Sequence, residues 1–341
     1  MMINRILYRI SRSIRETYYL YFPDYNFLSI LENNLVWGLT IETCNICNAN
    51  CIFCGYQYQK RKKKIMPENM YKKIIDDYDS IGGGKLGFGG PIGDPLLDPF
   101  LLDRIHYARQ FSNIKIISFM TNCINLHNIG VKNLLTSGLN NIFVSTSGFD
   151  LKAHNIIYRS NKAEVMKNNL INLVRMNREL GKPCKITIGL RTYQPINEVL
   201  NDREFREIAE MSDSVLAQYY YDDWGGRIKP TSLPKGMKIR PLILSLWRRK
   251  APCSMLYGSI TILSDGTATM CGCRDINGDS ELVLGNIKES SLLELYKSYN
   301  LKNIRKYWLN DKRIPNICQD CRHYNPFTYS MLKEVRINAK C

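Results

Sequence analysis

The chain has 341 residues, 45% of them hydrophobic, and 47 Lys and Arg against 31 Asp and Glu, a net charge of +16. That apolar share excludes a disordered chain, and no stretch approaches the ~20 apolar residues of a membrane span. No signal-peptide core opens the sequence, so the expected address is the cytoplasm, where the twelve cysteines read as metal ligands or catalytic thiols rather than disulfides.

In chain order, residues 1–15 hold Arg5, Arg9, Arg12 and Arg15, no acid, and Ile3, Ile6, Leu7, Ile10 and Ile14 at helical spacing. This predicts a basic amphipathic helix within a first segment, 1–34. It has two open readings: a helix packed under the main domain, or one lying on the anionic inner face of a membrane. From 35 to 223, apolar runs alternate with helical patterns. Strands are predicted at 37–42, 85–89, 115–120, 141–146, 185–191 and 214–220, and helices at 67–81, 99–110, 162–181 and 202–211. Six such units form a parallel α/β domain whose ligand site lies at the strand C-termini. Alternation alone leaves a barrel and an open wound sheet both possible. Residues 224–252 carry Pro230, Pro234 and Pro241, basic residues from Arg227 to Lys250, and no acid, as expected of a connector. A small cysteine-bearing unit follows at 253–341.

After the first predicted strand comes Cys47-x3-Cys51-x2-Cys54. Three thiolates on a short loop can hold three irons of a cubane and leave the fourth open. The same spacing also lies on one helix face, where three buried structural cysteines would satisfy it. The loop, with Phe53 before its last cysteine and a β/α domain around it, resembles the radical S-adenosylmethionine superfamily. That resemblance implies a partial (β/α)6 TIM-like barrel and a [4Fe–4S] cluster whose open iron binds S-adenosylmethionine. Its reductive cleavage, fed by a flavodoxin- or ferredoxin-type donor, would release a 5′-deoxyadenosyl radical that abstracts hydrogen from the substrate.

Other segments carry the resemblance further. Phe88-Gly89-Gly90-Pro91-Ile92-Gly93-Asp94-Pro95 is similar to the family's Gly-Gly-Glu-Pro, with Asp94 for Glu and extra residues between the glycine steps. It implies Gly90, Gly93 and Asp94 beside the amino group of S-adenosylmethionine. Ser145 at the end of the fourth strand, with the later Arg159, is implied to bind the methionine carboxylate, and Phe53 to neighbour the adenine. Cys44 falls outside the triad and reads as a small buried residue.

The tail holds Cys253, Gly266-x4-Cys271 and Cys318-x2-Cys321, the second within an apolar alternation around an Asp-Gly turn that predicts a hairpin. Four thiolates make a zinc site or a fully ligated cluster. After a radical S-adenosylmethionine domain the spacing resembles the SPASM/twitch extension. This implies a second, auxiliary [4Fe–4S] cluster held by Cys253, Cys271, Cys318 and Cys321 in a cysteine-rich twitch-like domain. Cys273 is left over as an idle thiol, a further ligand or a hydrogen donor.

A fully ligated cluster cannot bind S-adenosylmethionine but can accept an electron, which points to net two-electron oxidation, as in family members that oxidise a cyclitol alcohol to a ketone. The expected substrate is a small molecule or glycan with a carbohydrate-like alcohol. It would be anionic if Lys60-Arg61-Lys62-Lys63-Lys64 and the connector face phosphate, although basic runs are commonly solvated surface. Tyr219 to Arg227 ends the sixth strand at the expected mouth. The alternatives are a radical epimerase, a maturase of ribosomally made peptides, and a metal-binding protein without catalysis. No RNA-binding module is evident, so nucleic acid is not the expected partner.

Overall fold

Short strands rich in Ile, Leu, Val and Phe alternate with helices: β1 (Gly38–Ile41), β2 (Gly84–Phe88), β3 (Ile114–Thr121), β4 (Asn141–Thr146), β5 (Lys185–Arg191) and β6 (Ser214–Gln218). Each pairs in parallel with the one before it. The computed structural model describes residues 14, 38–242, 253–306 and 313–324. The helix expected over 1–15 (apart from Ile14), the rest of the 1–34 segment, the last part of the connector and Cys341 lie outside the described residues.

The helices follow the 3.6-residue pattern of the sequence. Glu68–Ser80 buries Ile74, Ile75 and Tyr78, and Ala163–Glu179 buries Leu170, Leu173 and Val174. Burying each such side chain contributes roughly 1.5–3 kcal/mol before entropy is counted. Arg203–Met211 starts where Asp202 accepts a hydrogen bond from Phe205 N, an N-cap that satisfies one orphan donor. Leu151–Tyr158, which the periodicity did not single out, begins at Asp150 in the same way and ends at Arg159.

The predicted sixth strand breaks after Gln218. Tyr220–Tyr221 forms β7, which pairs with β8 (Lys238–Ile239) from the connector. The six parallel strands do not close. The free edge of β1 pairs in parallel with β9 (Ser259–Ile262), which turns through Asp265 and Gly266 into β10 (Thr267–Thr269) and then β11 (Val283–Asn286). The result is one nine-stranded sheet in the order β11-β10-β9-β1-β2-β3-β4-β5-β6. The architecture is thus α/β, a partial barrel whose open side is extended by the cysteine-bearing tail.

Candidate functional site

The loop after β1 is held from both sides. Asn50 N and Ile52 N donate to the carbonyls of Tyr158 and Ile157 at the end of Leu151–Tyr158. Gln57 Nε2 donates to the carbonyls of Cys51, Ile52 and Cys54. Gly55 lies under the Trp224 ring, where a Cβ would come within 2.6 Å of ring carbon, and Trp224 Nε1 donates to Phe53 O at 3.0 Å. Only glycine allows that approach.

Two N–H groups point at sulfur in this loop: Tyr56 N to Cys54 Sγ at 3.4 Å and Asn122 Nδ2 to Cys47 Sγ at 3.7 Å. Burial raises all three thiols, Cys47 to about 12, while the charge of Arg191 opposes the rise at Cys51 and Cys54. Thiols so placed are protonated at neutral pH and lose their protons to a metal, which supplies the missing compensation. N–H donors to sulfur are a usual lever on a thiolate-held cluster. The donor set therefore fits an iron–sulfur cluster.

The 89–98 segment lies directly against this loop. Gly93 has φ +90°, and a Cβ there would meet Cys44 O at 2.3 Å. Gly90 packs on Thr40 and Thr261. Asp94 is 3% exposed, and its carboxylate accepts from Leu96 N, Thr121 Oγ1 and Asn122 N. Burial raises its pKa against those bonds. Its carboxylate thus ties the end of β3 to the loop. Cys44 is buried with its thiol on Ile46 O and Asp94 O, as the sequence suggested.

Ser145 Oγ lies 2.9 Å from Tyr158 Oη at the end of β4. Arg159 holds a left-handed conformation, φ 47°, and Nη1 donates to Gln57 Oε1 at 3.2 Å. Phe53 stacks on Tyr221 with centroids 5.1 Å apart and takes the Arg191 guanidinium at 5.3 Å over its face.

In the tail, Arg274 N donates to Cys271 Sγ at 3.3 Å. Burial raises Cys318 and Cys321, the latter to about 12, and both are pushed further by the charges of Cys271 and Cys253, which places the four within electrostatic reach of one another. Arg274 works in the opposite direction. It is clamped by Asp320 at 2.7 Å, by Ile317 O at 2.9 Å and by Asp222 at 3.4 Å. This donor set also fits a cluster. Among the described residues no three Cys, His, Asp or Glu side chains converge as they would on a single ion.

One cavity of about 480 Å³ joins the two places. Its wall includes Phe53, Cys54 and Arg191 together with Cys253, Cys271, Cys273, Cys318 and Cys321. Much of the rest is Met120, Met255, Leu256, Met270 and Leu282. Arg191 Nε has no hydrogen-bond partner although it is buried.

Two expectations about charge change. Within 60–64, Arg61 turns inward: it makes a bidentate pair with the fully buried Glu42 at 2.6 and 2.7 Å and donates to Ile276 O. It is therefore not available to a phosphate. In 219–227, Asp222 and Asp223 are buried and hold Arg322 N and Arg322 Nε, so the stretch latches the tail as well as lining the cavity. The structural parts of Arg274, Asp222, Trp224 and Tyr158 went unread in the sequence. The one local signal was Arg274, three residues past Cys271, where its N–H reaches back to sulfur.

Residues 41–206 match the family model of the radical SAM superfamily, and residues 253–322 match SPASM, an iron–sulfur cluster-binding domain. Over 178 residues the chain is 22% identical to the tungsten-containing aldehyde ferredoxin oxidoreductase cofactor-modifying protein of Pyrococcus furiosus. That match covers 52% of this chain and 48% of the relative, so the chain spans about half the length of the curated relative it matches. Among solved structures, the chain is similar to BtrN in complex with AdoMet and 2-DOIA, at 15% identity and a TM-score of 0.54 over 86% of this chain and 98% of that one. Streptococcus suis SuiB bound to S-adenosylmethionine aligns at 15% identity and a TM-score of 0.60 over 87% and 75%. Native anSMEcpe with bound AdoMet aligns at 16% and 0.57 over 89% and 97%. At these identities the likeness is one of fold.

Proposed function

The chain belongs to the radical S-adenosylmethionine superfamily and carries a SPASM-type cluster domain, and on that premise we propose that it oxidises a carbohydrate- or cyclitol-like alcohol. Cys47, Cys51 and Cys54 would hold the cluster that binds S-adenosylmethionine, and Cys253, Cys271, Cys318 and Cys321 the auxiliary one. When bound, the first cluster and S-adenosylmethionine supply the hydrogen-abstracting radical, and the second cluster an electron acceptor.

The single observation behind this reading is that Cys54 of the first thiol set and all four thiols of the second line one cavity. A substrate seated there would lie between the two cofactors, within reach of the radical and near enough to the second cluster to pass it an electron. The Phe53–Tyr221 stack makes a flat wall, and Trp224 closes over the first loop. Ser145 and Arg159, beside Tyr158 and Gln57, would orient the methionine carboxylate. Gly90, Gly93 and Asp94 would shape the bed for its amino group, Asp94 through the backbone that it holds. Arg191 Nε is the unpaired donor on the wall and would hold the substrate hydroxyl oxygen.

The test is iron and sulfide content after anaerobic reconstitution, with the triple variant Cys47→Ala/Cys51→Ala/Cys54→Ala alongside. About eight irons in the wild type and about four in the variant are expected. About four in the wild type with one zinc retained in both would remove the electron acceptor and overturn the oxidation. With a ring alcohol deuterated at the reacting carbon, label should appear in 5′-deoxyadenosine together with ketone.

One observation favours a second reading. Cys273 is exposed to the same cavity, where its S–H can return a hydrogen atom to a substrate radical and leave the ring epimerised rather than oxidised. The sulfur would then regain its hydrogen with one proton from solvent and one electron that an external flavodoxin- or ferredoxin-type donor supplies, the cluster held by Cys253, Cys271, Cys318 and Cys321 relaying it. Solvent deuterium at the product carbon, lost in Cys273→Ala, would select this reading.

A further inference from the structure

Arg274 is built into the second thiol set from both ends. Its backbone N–H donates to Cys271 Sγ at 3.3 Å, and the N–H groups of Cys273 and Asp275 favour the thiolate of the same residue. Its side chain reaches the other half of the set. Nη1 donates to Ile317 O at 2.9 Å, the carbonyl just before Cys318, and to Asp320 Oδ1 at 2.7 Å, between Cys318 and Cys321. Nε faces Asp222 Oδ1 at 3.4 Å, and Oδ2 of that carboxylate accepts from Arg322 N, the residue after Cys321.

The clamp is nearly dry. The Arg274 side chain is 5% exposed and Asp222 is fully buried, while Asp320 is half-exposed. Arg274 lines the cavity with Cys271, Cys318 and Cys321, in a wall that also carries Met255, Leu256, Met270 and Leu282. Charges set among such side chains are screened little. The guanidinium accordingly favours the thiolate at both Cys318 and Cys321. A latch between two stretches of chain needs only neutral donors. A buried full charge costs desolvation, and here its sign is the one that thiolates favour.

We propose that Arg274 sets the reduction potential of the auxiliary cluster, raising it so that the cluster accepts an electron from the substrate radical. The proposal rests on the reading of Cys253, Cys271, Cys318 and Cys321 as holders of that cluster, and it deepens the oxidation proposed above. In the step concerned, the radical carbon loses one electron, its hydroxyl loses a proton to solvent, and the C–O single bond becomes the ketone C=O. The cluster gains the electron and with it a negative charge. A fixed cation and N–H donors beside the sulfurs stabilise that reduced form, and the carboxylates of Asp222 and Asp320 oppose it.

The experiment is a potentiometric titration of the reconstituted full chain, read by electron paramagnetic resonance, with iron counted in each sample. Cys47→Ala/Cys51→Ala/Cys54→Ala is the background, so that the auxiliary cluster is seen by itself. Arg274→Met is expected to lower the midpoint potential by about 59 mV or more, an about tenfold shift of the one-electron equilibrium. Arg274→Lys, which keeps the charge, should stay near the background value. Asp320→Asn should shift the potential the other way, by less, because solvent screens a half-exposed carboxylate. Arg274→Met/Asp222→Asn removes one charge of each sign and should return toward the background value. Lys115→Gln, at the far end of β3, should change nothing. Should Arg274→Met lose its iron, Asp320→Asn and the double variant decide. Full iron with unmoved potentials in the charge variants overturns the role of Arg274 and leaves the cluster reading intact. Shifts of the same sign in Arg274→Met and Asp320→Asn also overturn it, since they report disturbed packing rather than charge. A background protein that holds zinc, or no iron, overturns the cluster reading and this proposal with it.

Discussion

His154 shows what a single buried group contributes. It is fully buried, its ring stacks on Tyr158 with centroids 4.6 Å apart and planes within 8°, and neither ring nitrogen has a partner. Burial alone pulls its pKa from 6.5 to about 4. Between those two values the unfolded chain binds the proton and the folded chain does not, so stability falls as pH is lowered through that window and levels off below it. The melting temperature of wild type should therefore drop more between about pH 7 and about pH 5 than that of His154→Phe, which keeps the stack and removes the base. Equal drops would assign the acid sensitivity elsewhere. Tyr158 carries Ser145 on its hydroxyl, so the same stack supports a residue of the candidate site. The sequence placed a histidine after the fourth strand; desolvation is a property of what surrounds it, and no local pattern encodes that.

The buried pair of Glu42 and Arg61 acts between elements. Glu42 follows β1, Arg61 sits in the basic run, and Ser264 N beyond β9 donates to the same carboxylate at 3.0 Å. One carboxylate thus ties the first strand, the loop beyond the cysteines and the tail. Desolvation works to raise its pKa, and Arg61 and Ser264 work against that. Arg61→Met would leave a charge buried without its partner and is expected to cost about 3–5 kcal/mol in urea unfolding. Adding Glu42→Gln should recover much of the loss, because the cost lies in the unpaired charge. A double variant as unstable as the single one would move the cost to packing of the arginine stem. The strands and helices around this pair were legible to within a few residues, because periodicities of two and 3.6 are local. Which of five consecutive cations turns inward was not, because that depends on a carboxylate 19 positions earlier.

For the whole molecule, the consequence is that the tail completes the sheet. β9 covers the edge of β1 along its length, from Gly38 to Ile41. Truncation after Asp223 would uncover an apolar parallel edge together with the cavity wall. The truncated chain is expected to elute as aggregate in size exclusion, and the full chain to unfold in one transition seen alike by fluorescence and circular dichroism. Two separated transitions would show that the tail folds by itself.

The sequence by itself determined the chemistry: two sets of thiols, their order along the chain, the β/α alternation and the Asp-Gly hairpin are all written in spacing, and spacing on a loop or a hairpin constrains which side chains can meet. The tertiary structure alone decided that β1 pairs with β9 rather than with β6, that Cys54 and the second thiol set line one cavity, and that Arg61 and Asp222 serve the fold. Those features join residues tens to hundreds of positions apart. Such contacts arise from edge pairing and burial of the assembled chain, and neither leaves a period or a spacing to be read beforehand.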